Sequence, residues 1–177
     1  STSRRQRQMC IRDRRGFTHR EPGMVGAAFD SPETIGELIA DGHHVVPAAC
    51  KVLIKQKTPR GVALITDCMS AGGRPDGDYM LGELPVIVEN GTARLKEGGN
   101  LAGSILQLKD GVKHVVDWGL VTVAQALQMA TSVPAKSVGL ENTCGSLKAG
   151  LPADFIVLDD SLDLQATYVD GQKGWEK

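Results

Sequence analysis

Val62-Ala63-Leu64-Ile65-Thr66-Asp67 is an apolar, β-branched run that ends in a hydroxyl and a carboxylate. It follows the turn Pro59-Arg60-Gly61, so the residues predict a buried strand with Asp67 at its C-terminal tip. Upstream, Glu37 to Asp41 predicts a second short strand, running into Asp41-Gly42-His43-His44. Between them Pro47 opens a segment whose Ala48, Ala49, Val52 and Leu53 can share one helix face. Strand, helix and strand in that order form a βαβ unit. A right-handed crossover brings its two strand tips side by side, where α/β proteins hold their chemistry. Asp67 and His44 are therefore expected to face one crevice.

The rest of the chain extends the α/β pattern. Ser31-Pro32-Glu33 has the residues of a helix start, with serine as cap and proline in the first turn. Asp76-Gly77 and Asn90-Gly91 are turn signals around Tyr79 to Val88, and the second links Val86-Ile87-Val88 to Ala93-Arg94-Leu95 as a hairpin. Helices are expected near Ser104 to Trp118 and after Thr122, with Val123, Ala126, Leu127 and Ala130 at helical spacing. Another begins at Pro134 and ends near Gly139. From Gly145 to Gly171 the pattern turns to period two, in Phe155-Ile156-Val157-Leu158 and Ala166-Thr167-Tyr168-Val169.

Composition bounds the function. The 177 residues are 41% hydrophobic and 23% charged, with a net charge of −1, which suits a globular chain with a core and no nucleic-acid footprint. No apolar run approaches the roughly 20 residues of a membrane span and no signal peptide is evident, so a cytoplasmic location is expected. Cys10, Cys50, Cys68 and Cys144 are scattered without Cys-x-x-Cys spacing and read as free thiols. Residues 1–14, rich in arginine and glutamine, fit neither helix nor strand. Met9-Cys10-Ile11-Arg12-Asp13-Arg14 resembles a reading frame of a transposon-end adapter used in DNA library preparation, which implies a foreign segment. A basic disordered arm is the alternative.

Several side chains could carry chemistry. Asp67 either braces the loop Cys68 to Gly73 or serves as general base or metal ligand. His44, next to His43, is a candidate substrate or metal ligand, or else one of a loop pair with one solvated and one packed ring, whereas His19 and His114 read as structural. Arg20 in the turn Arg20-Glu21-Pro22-Gly23 could clamp an anion through its guanidinium fork, or simply face solvent. Gly98-Gly99-Asn100-Leu101-Ala102-Gly103-Ser104 is a glycine-rich loop that could cradle an anion or amide through backbone N–H groups.

In order, Arg20-Glu-Pro-Gly-Met-Val-Gly-Ala, Ala40-Asp-Gly-His-His-Val, Ile65-Thr-Asp-Cys-Met, Leu101-Ala-Gly-Ser and Gly145-Ser-Leu-Lys-Ala-Gly-Leu-Pro-Ala-Asp closely resemble the N-acetylglucosamine-6-phosphate deacetylases of the amidohydrolase superfamily. The resemblance spans nearly everything after Gly16. It implies the C-terminal part of a TIM-like (β/α)8 barrel, over residues 15–144, plus C-terminal strands of a small β-sandwich, over 145–177. The implied reaction is metal-dependent hydrolysis of the N-acetyl amide of N-acetylglucosamine 6-phosphate. Asp67 would be the catalytic aspartate, taking a proton from metal-activated water and returning it to the leaving amine. Asp41, Gly42, His43 and His44 would form the substrate-contacting stretch, and Leu101, Ala102 and Gly103 would line the sugar pocket. Arg20 would reach the sugar phosphate in the other subunit of a homodimer.

The implied cofactor is a divalent metal, zinc or iron, but the family's glutamate and two histidine ligands lie upstream of these motifs. His19 is not one of them, because it abuts Arg20 and lacks the Asn-Ala that follows the family's metal-binding Thr-His. The chain by itself is therefore expected to be inactive. Two other readings stay open: a non-catalytic sugar-phosphate-binding fragment, and an amidohydrolase acting on a different N-acyl or cyclic amide.

Overall fold

The computed structural model describes residues 16–177, and the expectations for residues 1–14 and for Cys10 fall outside them. The chain divides into two compact units, one ending at Thr34 and one spanning Ile35–Lys177.

The first unit contains helix α1 (Gly23–Asp30). The turn before it is braced by Thr18, whose N–H and hydroxyl both donate to the Glu21 carbonyl and whose oxygen accepts the Glu21 N–H at 3.0 Å. Gly26 lets the helix close over this turn, since a Cβ there would lie 2.2 Å from Pro22. The helix start expected at Ser31-Pro32-Glu33 is instead a helix end. Ser31 is the C-cap of α1, and its N–H donates to the Ala27 carbonyl at 3.1 Å. Serine followed by proline suits a turn that leaves a helix as well as one that enters it, and the preceding glycine- and alanine-rich run took the helix.

The second unit starts with the expected βαβ motif. Strand β1 (Gly36–Ile39), helix α2 (Pro47–Lys57), a 3-10 turn (Pro59–Gly61) and strand β2 (Val62–Ile65) follow in order, and β1 pairs parallel to β2 with Leu38 opposite Leu64. Val62, Ala63 and Leu64 are buried, as strands covered on both faces must be. The helix face differs from the expected one. Cys50 and Ile54 point into the core with Leu53 beside them, while Ala48 and Ala49 are exposed and Val52 is 56% exposed. Spacing of 50, 54 and 57 is one helix stripe; the buried thiol, an adaptable small hydrophobe, is its anchor.

Helices α3 (Leu108–Asp117), α4 (Val123–Ala130) and α5 (Ser132–Ser137) complete this core. Val112, Val115, Ala126 and Met129 close over Leu38, Val62 and Leu64. Thr122 caps α4 in a full capping box with Gln125, as expected. Val123 is nevertheless exposed, and Met129 takes the inward position. The third helix starts at Leu108, not Ser104, and the last at Ser132, two residues before Pro134.

Between β2 and α3 lies an antiparallel sheet of β3 (Gly77–Leu81), β4 (Leu84–Glu89) and β5 (Thr92–Leu95). The Asn90-Gly91 hairpin is as expected, with both residues at positive φ. This sheet has its own core of Val86, Val88 and Ala93 against Met69, Ala71 and Ala102. The tail forms a second antiparallel sheet of β6 (Phe155–Leu158), β7 (Leu164–Val169) and β8 (Gln172–Glu176), in which the Phe155 and Tyr168 rings stack at 4.5 Å.

Candidate functional site

The two parallel strands end level with each other, Ile39 opposite Ile65, so the segments leaving them emerge from one edge of the sheet. One carries Asp41 to His44 and the other Thr66 and Asp67.

Asp41 organises its own loop. Its Oδ1 accepts the backbone N–H of His43 at 2.9 Å and of His44 at 2.8 Å, and its Oδ2 lies 2.6 Å from His44 Nδ1. Both side chains are largely enclosed, at 18% exposure for His44 and 9% for Asp41. Burial pushes the Asp41 carboxyl up, but the hydrogen bonds from the His44 ring and from the His44 and His43 N–H groups outweigh it and hold it below its ordinary value. The hydrogen bond to Asp41 raises the His44 pKa against the opposing effect of burial, helped by the charges of Asp41 and Asp67.

Asp67 is exposed and held in a left-handed conformation, φ +49°. Aspartate tolerates this region better than most residues, yet it is sparsely populated and needs support from its surroundings. The support comes from the glycine-rich loop. Ser104 donates its N–H to the Asp67 carbonyl at 2.8 Å and accepts the Met69 N–H at 2.9 Å. Its hydroxyl, in a side chain that is 3% exposed, donates to the Thr66 carbonyl and accepts the Leu106 N–H at 3.1 Å. Gly103 makes the approach possible, because a Cβ there would sit 3.1 Å from the Asp67 carbonyl oxygen at a φ of +65°.

Asp67 therefore has Gly103 and Ser104 against its backbone, with Ala102 buried in the small sheet's core and Leu101 bridged to Arg94. The loop clamps the Asp67 turn and spends part of its backbone N–H groups within the fold. The N–H groups of Gly99, Ala102 and Ser104 are committed to the carbonyls of Leu95, Ala93 and Asp67. His43 is exposed, and a Cβ on Gly91 in the hairpin turn would lie 3.8 Å from its Nε2. Gly42, at φ +79°, passes the Trp118 ring, which a Cβ would meet at 3.5 Å. His114 is structural as expected: Nδ1 lies 2.7 Å from the Ala40 carbonyl and the ring stacks on Trp118 at 5.3 Å. Arg20 belongs to the first unit, in the bend before α1.

Ser104, read only as the end of the glycine-rich loop, and Trp118, read only as a helix end, were not recognised from sequence as supports of this site. A serine after a left-handed glycine was the only local signal for the first. Its hydroxyl partner lies 38 residues away, so no spacing rule finds it.

Cys50 is a buried free thiol, and Cys68 and Cys144 are exposed free thiols. Among the described residues no group of three or more His, Cys, Asp or Glu side chains is placed to hold a metal ion, and no helix is long and apolar enough to cross a membrane. Asp67 and the enclosed Asp41–His44 pair do not by themselves make a metal site.

Residues 11–175 match the amidohydrolase family, whose members generally use a divalent metal. The chain is 42% identical over 163 residues to the N-acetylglucosamine-6-phosphate deacetylase of Vibrio furnissii, a match covering 92% of this chain and 40% of that protein. It is also 42% identical over 166 residues to an Escherichia coli K12 protein provisionally named an N-acetylgalactosamine-6-phosphate deacetylase, covering 92% of this chain and 96% of that one. Among solved structures, the Thermotoga maritima N-acetylglucosamine-6-phosphate deacetylase superposes with a TM-score of 0.86 at 32% identity, over 92% of this chain and 44% of that one. A Mycobacterium smegmatis deacetylase mutant in complex with N-acetyl-D-glucosamine-6-phosphate gives 0.85 at 32% identity, over 90% and 42%. The chain thus spans about 40% of the length of the Vibrio furnissii relative. Its fold is α/β, part of a TIM-like barrel with strands of a small β-sandwich, and no closed barrel forms among the described residues. With the family matched over nearly its whole length, the chain belongs to the amidohydrolase family and within it groups with the N-acetylglucosamine-6-phosphate deacetylases.

Proposed function

We propose that this chain is the C-terminal part of a cytoplasmic enzyme that hydrolyses the N-acetyl amide of N-acetylglucosamine 6-phosphate to glucosamine 6-phosphate and acetate. Residues 15–144 would belong to the barrel and 145–177 to the sandwich. The observation that carries the reading is the placement of Asp67 on a clamped, left-handed strand tip with His44 leaving the adjacent parallel strand.

In this role Asp67 takes a proton from the attacking water and delivers it to the amine nitrogen as the amide C–N bond breaks. Its exposure leaves the carboxylate accessible to both. His44 contacts the sugar, with Asp41, Gly42 and His43 shaping that loop, and Leu101, Ala102 and Gly103 line the sugar pocket. Arg20 binds the phosphate in the neighbouring subunit of a homodimer, for which a planar guanidinium fork is well matched. The metal, zinc or iron, would be held by residues outside those described.

Acetate release from N-acetylglucosamine 6-phosphate tests this reading, measured on the full-length enzyme and its Asp67→Asn variant. Turnover should fall by at least two orders of magnitude with sugar-phosphate binding nearly unchanged, since the substitution deletes proton transfer and little contact. Full activity in Asp67→Asn, or in enzyme stripped of zinc and iron, refutes it. The equal 42% identity to the Escherichia coli K12 protein supports a second reading, N-acetylgalactosamine 6-phosphate as substrate. The ratio of kcat/KM values for the two sugars decides between them.

A further inference from the structure

The resemblance groups Asp41 with the residues that touch substrate, and the geometry reassigns it. Its carboxylate is engaged within its own loop: Oδ1 by the N–H groups of His43 and His44, Oδ2 by the His44 ring at 2.6 Å. At 9% exposure the side chain offers little to a ligand. We infer that Asp41 is a positioning residue, which holds the His44 ring by Nδ1, fixes which nitrogen carries the proton, and leaves Nε2 as the atom available to a sugar oxygen. The inference rests on the proposed function only for what Nε2 meets.

The chemistry of the contact sets the tautomer. An ionised carboxylate only accepts hydrogen bonds, so a ring nitrogen 2.6 Å from it must bear a proton. The neutral ring is then protonated at Nδ1 with a bare Nε2, and the charged ring donates from Nε2. The loop itself is anchored on both sides of Asp41. His114 lies 2.7 Å from the Ala40 carbonyl, and the Trp118 ring stacked on it sits against Gly42, where a Cβ would approach it to 3.5 Å. Helix α3, which supplies His114 and is capped by Trp118, therefore sets the direction of the Asp41 carboxylate, and Asp41 sets the ring.

Asp41→Asn separates positioning from loop structure. The asparagine carbonyl can still accept the two backbone N–H groups, but its NH₂ now faces Nδ1 and donates, so the ring must move its proton to Nε2. Magic-angle-spinning NMR of the ¹⁵N-histidine-labelled chain at alkaline pH reads both nitrogens, with His44 identified as the signal lost in His44→Gln and His114 as the internal check on the fold. Wild type should show His44 protonated at Nδ1 and bare at Nε2; Asp41→Asn should invert this while His114 stays unchanged. A bare Nδ1 in the wild type overturns the inference whatever the variant does, as does a His44 pattern that Asp41→Asn leaves unaltered. Added to the full-length enzyme, glucosamine 6-phosphate should then shift the His44 Nε2 signal. Inversion without that shift keeps Asp41 as the positioning residue and removes His44 from the substrate site.

Discussion

Ser104→Ala is the most direct probe of how the site is held. The substitution removes one oxygen from a side chain that is 3% exposed, and with it the bond to the Thr66 carbonyl and the acceptor of the Leu106 N–H. Leaving a buried polar group unpaired costs about 1–3 kcal/mol. With two groups affected, and Thr66 near enough to the surface to recover some hydration, the expected loss is about 2–4 kcal/mol. The cavity left by one hydroxyl is too small to add much. At a urea m-value of about 2 kcal/mol/M, the unfolding midpoint should fall by about 1–2 M at fixed protein concentration, with m unchanged. The backbone bonds between Ser104 and both Asp67 and Met69 survive the change, so Asp67 keeps its left-handed turn but loses the brace on its N-terminal side. A midpoint shift under about 0.3 M would refute the view that this hydroxyl ties the strand tip to the glycine-rich loop.

Gly103→Ala should destabilise by about 1–2 kcal/mol, since it puts a Cβ 3.1 Å from the Asp67 carbonyl oxygen at positive φ; a variant as stable as the wild type in the same titration would contradict the close approach. Stability should also depend on pH through the Asp41–His44 pair. The lowered Asp41 pKa contributes stability above 3.8 that is lost as pH falls through its folded value, and the raised His44 pKa contributes below 6.5 and is lost as pH rises through its own. Their joint contribution is greatest between those limits, and a His44→Gln profile that superimposes on the wild type would count against it. In the full-length enzyme Arg20→Ala should raise KM chiefly, and mixing Arg20→Ala with Asp67→Asn subunits should restore activity by forming one intact site per hybrid dimer; an unchanged KM or no restoration removes the intersubunit role.

Local sequence determined a large part of this protein. An apolar strand closed by an aspartate, a crossover helix opened by Pro47, the Asn90-Gly91 hairpin and the Thr122 cap are all written within a few residues, where side-chain period and backbone preference act directly. Even there, short-range signals had limits: Ser31-Pro32 fits a helix exit as well as an entrance, and only the competition with Gly23–Asp30 settled which. The orientation of α2 escaped the sequence, whereas that of α4 was legible at Ala126, Leu127 and Ala130 and missed only at Val123, because inward faces depend on what lies opposite. Cys50 and Met129 won over Val52 and Val123 by meeting β1 and β2. The site's supports were decided entirely by tertiary structure. Ser104 reaches Thr66 and Asp67, His114 reaches Ala40, and Trp118 reaches Gly42 across stretches of chain that no periodicity spans. Hydrogen bonds and close contacts between distant segments exist only once the fold has closed the loops between them, so candidate residues could be named from the chain while the contacts that hold them could not.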